Sequence, residues 1–179
     1  MPELRDIPAG LWLRVSIPGQ RLDVMEGDES VRSYAVSTAR NGPGEACGSE
    51  RTPRGWHLVR ARIGQGLPEG TVLVARRPTG EVFSEALRRR YPERDWILTR
   101  ILWLSGLEPG RNRLGDVDTM RRFIYIHGCP ASDELGKPGS HGCIKMRNHD
   151  VVELFDRVPV GTRVLIEDSE PGSGLGAGA

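Results

Sequence analysis

The sequence predicts a mainly β domain with one or two short helices, and three observations support this class. Apolar and polar residues alternate with the two-residue period of a β-strand along several segments. The 179 residues include 23 glycines and 13 prolines, which predict many turns between short strands. Only two segments have the residue pattern of a helix. A chain of this length is expected to form one domain with a sizeable core.

The first strands form a predicted hairpin. Residues 11–17 alternate between apolar and other side chains, Pro18 and Gly19 predict a turn, and residues 20–26 follow as the second strand. Residues 31–39 alternate in the same way and predict a third strand.

A loop and two further strands follow the hairpin. Residues 40–55 are dense in Gly, Pro, Asn and Ser, which is the composition of a loop. Residues 56–63 and 71–77 predict two strands with a glycine-rich connection between them.

The middle of the chain predicts a helix and a buried strand. Ser84 is expected to cap a short helix at residues 85–90, and Pro92 is expected to stop it. Residues 96–104 are apolar and rich in strand-forming side chains, so we expect a buried strand there.

The last part of the chain predicts a strand, a helix and a closing strand. A strand leads to His127 after a loop at residues 106–116, and residues 162–168 form the closing strand. Asn148 is expected to be the N-cap of the second helix. The buried stripe of that helix is predicted from four residues: Val151, Val152, Phe155 and Val158.

These elements predict one domain over residues 1–168 and a disordered tail at residues 169–179, where large apolar side chains are scarce. The net charge is +1, from 25 basic and 24 acidic residues, so the chain has no general attraction for nucleic acid or an anionic membrane. We expect no transmembrane segment, because no apolar run approaches the roughly 20 residues that cross a bilayer. The N-terminus has no secretory signal pattern, which predicts a cytoplasmic protein if the chain is complete.

Two His-Gly-Cys triplets stand out, at residues 127–129 and 141–143. The chain has only three cysteines and four histidines, so the triplets hold two of each. Three interpretations compete: a thiol nucleophile with its base, a metal site, or packing alone.

The nucleophile interpretation centres on Cys143. A thiolate forms when a neighbouring imidazole accepts the thiol proton, and a helix N-terminus stabilises the anion. Cys143 precedes the helix expected at Asn148, and either His127 or His141 can serve as the base. Gly142 permits a tight turn whose peptide N–H groups would face a developing oxyanion.

The metal interpretation uses both triplets. His127 with Cys129, and His141 with Cys143, form two pairs of zinc ligand types, because residues two apart share one face of a strand. One intervening glycine is a tight spacing for a zinc site, and spacing alone leaves all three interpretations open.

The segment "SHGCIKM", preceded by "IHG", resembles the signature of the L,D-transpeptidases, the YkuD-domain family of peptidoglycan enzymes. The resemblance extends to "YAVSTARNG", "RTPRGWHLV" and "NHDVVELFDRVPVGTRVLIED", and covers roughly residues 11–168. It implies a catalytic β-sandwich with one or two short helices.

The resemblance also implies roles for individual residues. Cys143 would be the nucleophile, and His127 would be the base, oriented by a backbone carbonyl near Gly128. His141 and the backbone N–H groups around Gly142 and Cys143 would form the oxyanion site, which Ser140 would help to shape. Four residues are expected to contact substrate in the cleft: Tyr34, Thr52, Tyr125 and Lys145.

This chain departs from the family pattern at two positions. Lys145 stands where the family usually has arginine, which keeps the charge but loses the planar fork. Cys129 stands where threonine is common, and we hypothesise a disulfide between Cys129 and Cys143 that would switch the enzyme off. Cys47 lies in a loop and is expected to be an unpaired surface thiol.

The function that the resemblance implies is transfer of an acyl group from peptidoglycan tetrapeptide stems through a Cys143 thioester, forming 3→3 cross-links or transferring the stem to another amine. No metal or organic cofactor is expected, the partners are stem peptides, and carbapenem β-lactams are expected inhibitors. The substrate places the protein in the cell envelope or periplasm. The alternatives are an L,D-carboxypeptidase that uses water, a hydrolase that detaches a protein from the wall, a cytosolic enzyme of muropeptide recycling, and a non-enzymatic zinc-stabilised wall-binding module.

Overall fold

The computed structural model describes residues 7–169, and it confirms the mainly β class and the two short helices. The helices are α1 (Glu85–Arg90) and α2 (Asn148–Arg157), with a single 3-10 turn at Gly115–Val117. The ten strands are β1 (Leu11–Ser16), β2 (Arg21–Glu26), β3 (Glu29–Ala35), β4 (Gly55–Ile63), β5 (Thr71–Val74), β6 (Arg77–Val82), β7 (Ile97–Gly106), β8 (Tyr125–Cys129), β9 (Ile144–Arg147) and β10 (Arg163–Glu167).

All ten strands belong to one sheet that curls on itself. Eight of them follow the order β3-β2-β1-β10-β4-β7-β8-β9, and the β5–β6 hairpin branches from β7. The two ends of this path meet where Ser37, just after β3, exchanges backbone hydrogen bonds of 3.0 and 2.9 Å with Lys145 in β9. The two layers of the predicted sandwich are therefore opposite walls of one curled sheet.

The interior of the curled sheet is apolar because the strands alternate as predicted. Leu13 and Val15 of β1 point inward and are fully buried, whereas Trp12 packs on the other side with Met25 and Leu165. Helix α2 packs against β7, β8 and β9 and buries three residues in the same core: Val151, Leu154 and Phe155.

The predicted strand at residues 71–77 is wrong at its C-terminal end. β5 ends at Val74, a tight turn follows at Ala75 and Arg76, and β6 returns over residues 77–82. Strand β6 shows no alternation of apolar and polar residues, because it is exposed and contains Pro78 and Gly80.

The structure also corrects the segments around the triplets. β3 ends at Ala35, and His127 lies in the middle of β8. Strand β9 had not been predicted, and it separates Cys143 from α2 by about 13 Å of extended chain. Asn148 is the first residue of α2 and not its N-cap, because its side-chain Oδ1 accepts a hydrogen bond from Thr99 Oγ1 at 2.7 Å.

The predicted tail lies outside the described residues from position 170 onward, and Ser169 is exposed. Neither described helix has the length and apolarity that a membrane-spanning helix needs.

Candidate active site

Cys143 lies immediately before β9, beside the first residue of β8. Its Sγ accepts a hydrogen bond from the backbone N–H of Tyr125 at 3.3 Å, and the thiol donates to the carbonyl oxygen of Phe123 at 3.4 Å. The side chain is partly exposed. Two backbone groups thus fix the sulfur while one side of it faces solvent.

The parallel pairing of β8 with β9 brings Cys143 and His127 into one cleft. Ile126 pairs with Ile144 and His127 with Lys145, and paired residues point to the same face of a sheet. Both isoleucines are fully buried in the core. The opposite face lines a cleft of about 520 Å³ that contains Tyr125, His127, Ser140, His141, Cys143 and Lys145.

The imidazole of His127 is held in one tautomer. Its Nδ1 lies 2.7 Å from the carbonyl oxygen of Gly128, which can only accept, so Nδ1 carries the proton of the neutral ring. Nε2 is then free to accept a proton. The ring is almost completely buried, and this burial lowers the pKa of His127.

The thiol of Cys143 is neutral in the resting site. Burial raises its pKa to about 12, and the N–H of Tyr125 opposes that rise only in part. Because the side chain is partly exposed, water in the cleft weakens this effect until a ligand excludes it. Both pKa shifts favour the neutral forms, a thiol and an unprotonated imidazole, over an ion pair.

The turn that carries Cys143 is fixed by Ser140. The Ser140 hydroxyl donates to the Cys143 carbonyl oxygen at 2.5 Å and accepts from the Gly142 N–H at 3.1 Å. Gly142 has φ +129°, and a Cβ there would lie 3.1 Å from Ile124 Cδ1. The position thus favours glycine for both conformation and space.

The Gly142 N–H is not available as the oxyanion donor that we predicted, because it is bound to Ser140. The backbone N–H of Cys143 makes no hydrogen bond within the described residues. His141 is exposed at the same cleft. The Cys143 N–H and the His141 side chain are therefore the remaining oxyanion candidates.

Thr52 does not line the cleft, so its predicted contact with substrate is wrong. The residue is fully buried, its hydroxyl donates to the Gly142 carbonyl oxygen at 2.9 Å, and it accepts from the Ala39 N–H at 2.9 Å. Thr52 ties the turn before Cys143 to the segment that follows β3.

Replacing Thr52 by valine is expected to reduce the free energy of unfolding by about 2–4 kcal/mol, because two buried backbone groups lose their only side-chain partner. The loosened turn should also change the rate at which iodoacetamide alkylates Cys143. Urea unfolding and timed alkylation measure the two effects. Thr52→Ser is the matched control, since it keeps the hydroxyl. Equal stability of wild type and Thr52→Val would contradict this role.

Tyr34 is also placed away from the cleft, against the prediction. It is buried, and its hydroxyl donates to Glu153 Oε1 of α2 at 2.8 Å. Tyr125 and Lys145 line the cleft, and their contact with substrate stays a prediction. The Tyr125 hydroxyl accepts from Arg76 Nη1 at 3.0 Å, and Lys145 Nζ lies 2.9 Å from Asp133 Oδ2.

Sequence reasoning missed several residues that the fold brings into the cleft. Arg122 donates to the carbonyl oxygen of Arg51 at 2.6 Å, and that oxygen lies against Gly142. The missed cleft residues are Ala75, Arg76, Asp95, Ile97, Arg122, Phe123 and Ile124. Only Arg122, Phe123 and Ile124 could have been found from the sequence, because they directly precede the strand that contains His127.

The hypothesis of a disulfide between Cys129 and Cys143 is wrong for this fold. Cys143 lies beside Tyr125, and Cys129 lies four residues along β8, about 13 Å away. A disulfide requires Cα atoms within about 7 Å. Cys129 is fully buried, and both thiols are free. Cys47 is a free, exposed thiol, as predicted.

The same separation removes the zinc interpretation, because tetrahedral zinc needs every ligand atom within about 2.3 Å of the metal. Among residues 7–169, no three His, Cys, Asp or Glu side chains are grouped in a way that could hold a metal ion.

Comparison with protein families gives one match that spans most of the chain. The family model described as the L,D-transpeptidase catalytic domain, YkuD, matches residues 10–166. Curated relatives match over a shorter segment. A putative L,D-transpeptidase, YqjB, of Bacillus subtilis is 53% identical over 47 residues, which are 26% of this chain and 27% of that protein. A probable L,D-transpeptidase, YbiS, of Escherichia coli is 49% identical over 47 residues, or 15% of its length.

Solved structures share the fold. An L,D-transpeptidase from Xylanimonas cellulosilytica superposes with a TM-score of 0.52 at 21% identity, covering 90% of this chain and 63% of the other. L,D-transpeptidase 3 from Mycobacterium tuberculosis, in complex with a faropenem-derived adduct, gives a TM-score of 0.53 at 15% identity, covering 89% and 60%. The chain thus spans less than two thirds of these relatives.

Proposed function

Because the chain belongs to the L,D-transpeptidase catalytic domain family, we propose that it is a cysteine acyltransferase acting on the stem peptides of peptidoglycan. One observation carries this proposal: the Cys143 thiol shares a cleft with His127, whose Nδ1 is bound to the Gly128 carbonyl oxygen. This arrangement supplies a nucleophile and an unprotonated Nε2 that can take its proton.

Acylation begins when the Cys143 sulfur attacks the carbonyl carbon of the third stem residue. His127 Nε2 takes the thiol proton as the new S–C bond forms. The carbonyl oxygen becomes an oxyanion, which the Cys143 N–H and His141 stabilise. The C–N bond to the terminal D-alanine then breaks, the imidazolium returns the proton to the leaving amine, and a thioester remains.

Deacylation reverses the roles. An amine on a second stem attacks the thioester carbonyl carbon, His127 takes a proton from that amine, and the sulfur leaves and recovers a proton from the imidazolium. The product is a 3→3 cross-link. If water attacks instead, the product is a shortened stem with a free carboxylate, and the enzyme is a carboxypeptidase. The substrate occurs in the cell envelope, and we propose that the protein acts there.

We also propose that β-lactams of the carbapenem type acylate Cys143, because the amide of a strained lactam offers the same kind of carbonyl carbon. The structure of LD transpeptidase LdtMt1 in complex with imipenem, a carbapenem, supports this extension.

The direct test incubates reduced protein with a tetrapeptide stem, with and without a second stem as the amine acceptor. Mass spectrometry of the intact protein should detect an acyl group equal to the stem minus D-alanine. Product analysis then separates the reactions: a cross-linked dimer indicates transpeptidation, and a tripeptide alone indicates hydrolysis. Detection of neither free D-alanine nor an acylated protein would contradict the proposal.

A further inference from the structure

We propose that Arg76 forms a carboxylate-binding subsite at the wall of the Cys143 cleft, and that it selects acyl donors by a carboxylate of the stem peptide. This inference rests on the proposed function and adds a determinant of its substrate choice. It is carried by the backbone at Arg76, by the contacts that support its guanidinium and by the pairing of the other charges in the cleft.

The backbone places Arg76 in an unusual conformation. Arg76 and Ala75 form the two-residue turn between β5 and β6, with φ values of +64° and +48°. Two consecutive positive φ values are typical of a type I′ hairpin turn, in which Asn and Gly are the usual residues. Side chains other than glycine cost about 1 kcal/mol each in this region. The chain therefore keeps an arginine at a position where its backbone is strained.

Three aromatic residues support the guanidinium. Its Cζ lies 4.7 Å from the ring centroid of Trp103 and 5.1 Å from that of Phe123, and Nη1 donates to the Tyr125 hydroxyl at 3.0 Å. Such contacts fix the plane of the guanidinium and reduce the side-chain entropy that is lost on binding a ligand. Arginine has five N–H donors, and this hydrogen bond uses one of them.

The other charged groups of the cleft are bound to protein partners or lie apart from Arg76. Lys145 pairs with Asp133, and Arg122 is bound to the carbonyl oxygens of Gly44 and Arg51. Within residues 7–169, Arg76 forms no ion pair and no hydrogen bond to a carboxylate, although Asp95 lines the same cleft. A guanidinium with free N–H donors at a cleft wall is complementary to a carboxylate, which it binds through two parallel hydrogen bonds.

Tyr125 completes the subsite. Burial raises the pKa of its hydroxyl, so the group keeps its proton at neutral pH. Its oxygen accepts from Arg76, and its proton remains available for a carboxylate oxygen. Because Tyr125 also holds the Cys143 sulfur through its backbone N–H, the subsite lies next to the nucleophile.

A tetrapeptide stem has two carboxylates that Arg76 and Tyr125 could bind. One is the terminal carboxylate of the leaving D-alanine, and the other is the side-chain carboxylate of a third residue such as diaminopimelate. The test compares a stem that has both groups with a stem ending in D-alaninamide and with a stem whose third residue is lysine.

The experiment measures kcat/KM for release of the fourth residue by wild type, Arg76→Gln and Arg76→Lys. Arg77→Gln is the matched control, because Arg77 is the adjacent, exposed arginine of β6. Loss of a charged hydrogen-bonding partner should lower kcat/KM of Arg76→Gln about 10- to 100-fold on the stem with both carboxylates, mainly through KM. Arg76→Lys should recover part of this loss, and Arg77→Gln should match wild type.

The substrate series identifies the group. If the Arg76→Gln defect disappears on the D-alaninamide stem, the terminal carboxylate binds Arg76; if it disappears on the lysine stem, the side-chain carboxylate does. Wild-type kcat/KM in Arg76→Gln, or an equal defect on all stems, would overturn the assignment. Unfolding midpoints equal to wild type show that the variants are folded. Absence of any thioester in wild type would instead overturn the proposed function, and the subsite with it.

Discussion

Replacing Cys143 by alanine is expected to abolish covalent modification of the protein by a carbapenem and by tetrapeptide stems. Two backbone groups hold the sulfur in the cleft that also contains the His127 imidazole, whose Nε2 can accept the thiol proton. Intact-protein mass spectrometry under reducing conditions measures the change. Wild type should gain the mass of one adduct, and the variant should gain none.

Cys47→Ala is the matched control for this experiment, because Cys47 is a free and exposed thiol outside the cleft. It should form the adduct at the wild-type rate. Cys143→Ser tests the chemistry more finely, since a hydroxyl keeps the position but is far less acidic than a thiol. An adduct of undiminished yield in Cys143→Ala would show that another residue is the nucleophile.

Replacing His127 by glutamine is expected to lower the acylation rate about 10²- to 10⁴-fold, which is the usual contribution of a positioned general base. The reason is the high pKa of Cys143, which burial raises to about 12, so the thiol needs a base to accept its proton as it attacks. Stopped-flow or timed mass measurements of carbapenem acylation give the rate. His149→Gln, at an exposed position of α2, is the control and should react like wild type.

The pH dependence of wild type gives an independent test of the same pair. Burial lowers the pKa of His127. The imidazole therefore stays unprotonated, and the acylation rate stays high, even at a pH somewhat below the ordinary histidine pKa of about 6.5. The rate should fall only when the pH drops through that lowered pKa. A rate that climbs tenfold per pH unit through neutrality, in wild type and His127→Gln alike, would contradict the role of His127.

The fold class was predictable because a few neighbouring residues of each inner strand already show the alternation of apolar and polar side chains. Leu13 and Val15 alternate with residues on the other face of β1, and Asn148 was placed within one residue of the start of α2. β6 had no such signal, since an exposed strand needs no apolar face. β9 was hidden by its length: Ile144 and Met146 point inward, but four residues between a turn and a helix are too few for a pattern.

The site was predictable where its residues are close in sequence. The triplets at Cys143 and His127 were recognisable because the turn, the nucleophile and the base lie within one segment. Arg76 was not, because it reaches the cleft only through the pairing of β5 with β7, a contact between distant parts of the chain. The sequence predicts a substrate contact for Thr52, since it does not show that backbone groups bind the Thr52 hydroxyl on both sides.

Because the β5–β6 hairpin branches from β7, a change at the hairpin tip can be separated from a change at Cys143 and His127. The closed path of strands carries Cys143 and His127, and the hairpin joins it through two residue pairs with β7, Val72 with Leu98 and Leu73 with Ile97. Insertions and deletions at such an exposed tip are tolerated because few buried contacts depend on it. A change in the length or charge of the tip that holds Arg76 can therefore alter this wall of the cleft while Cys143 and His127 keep their positions.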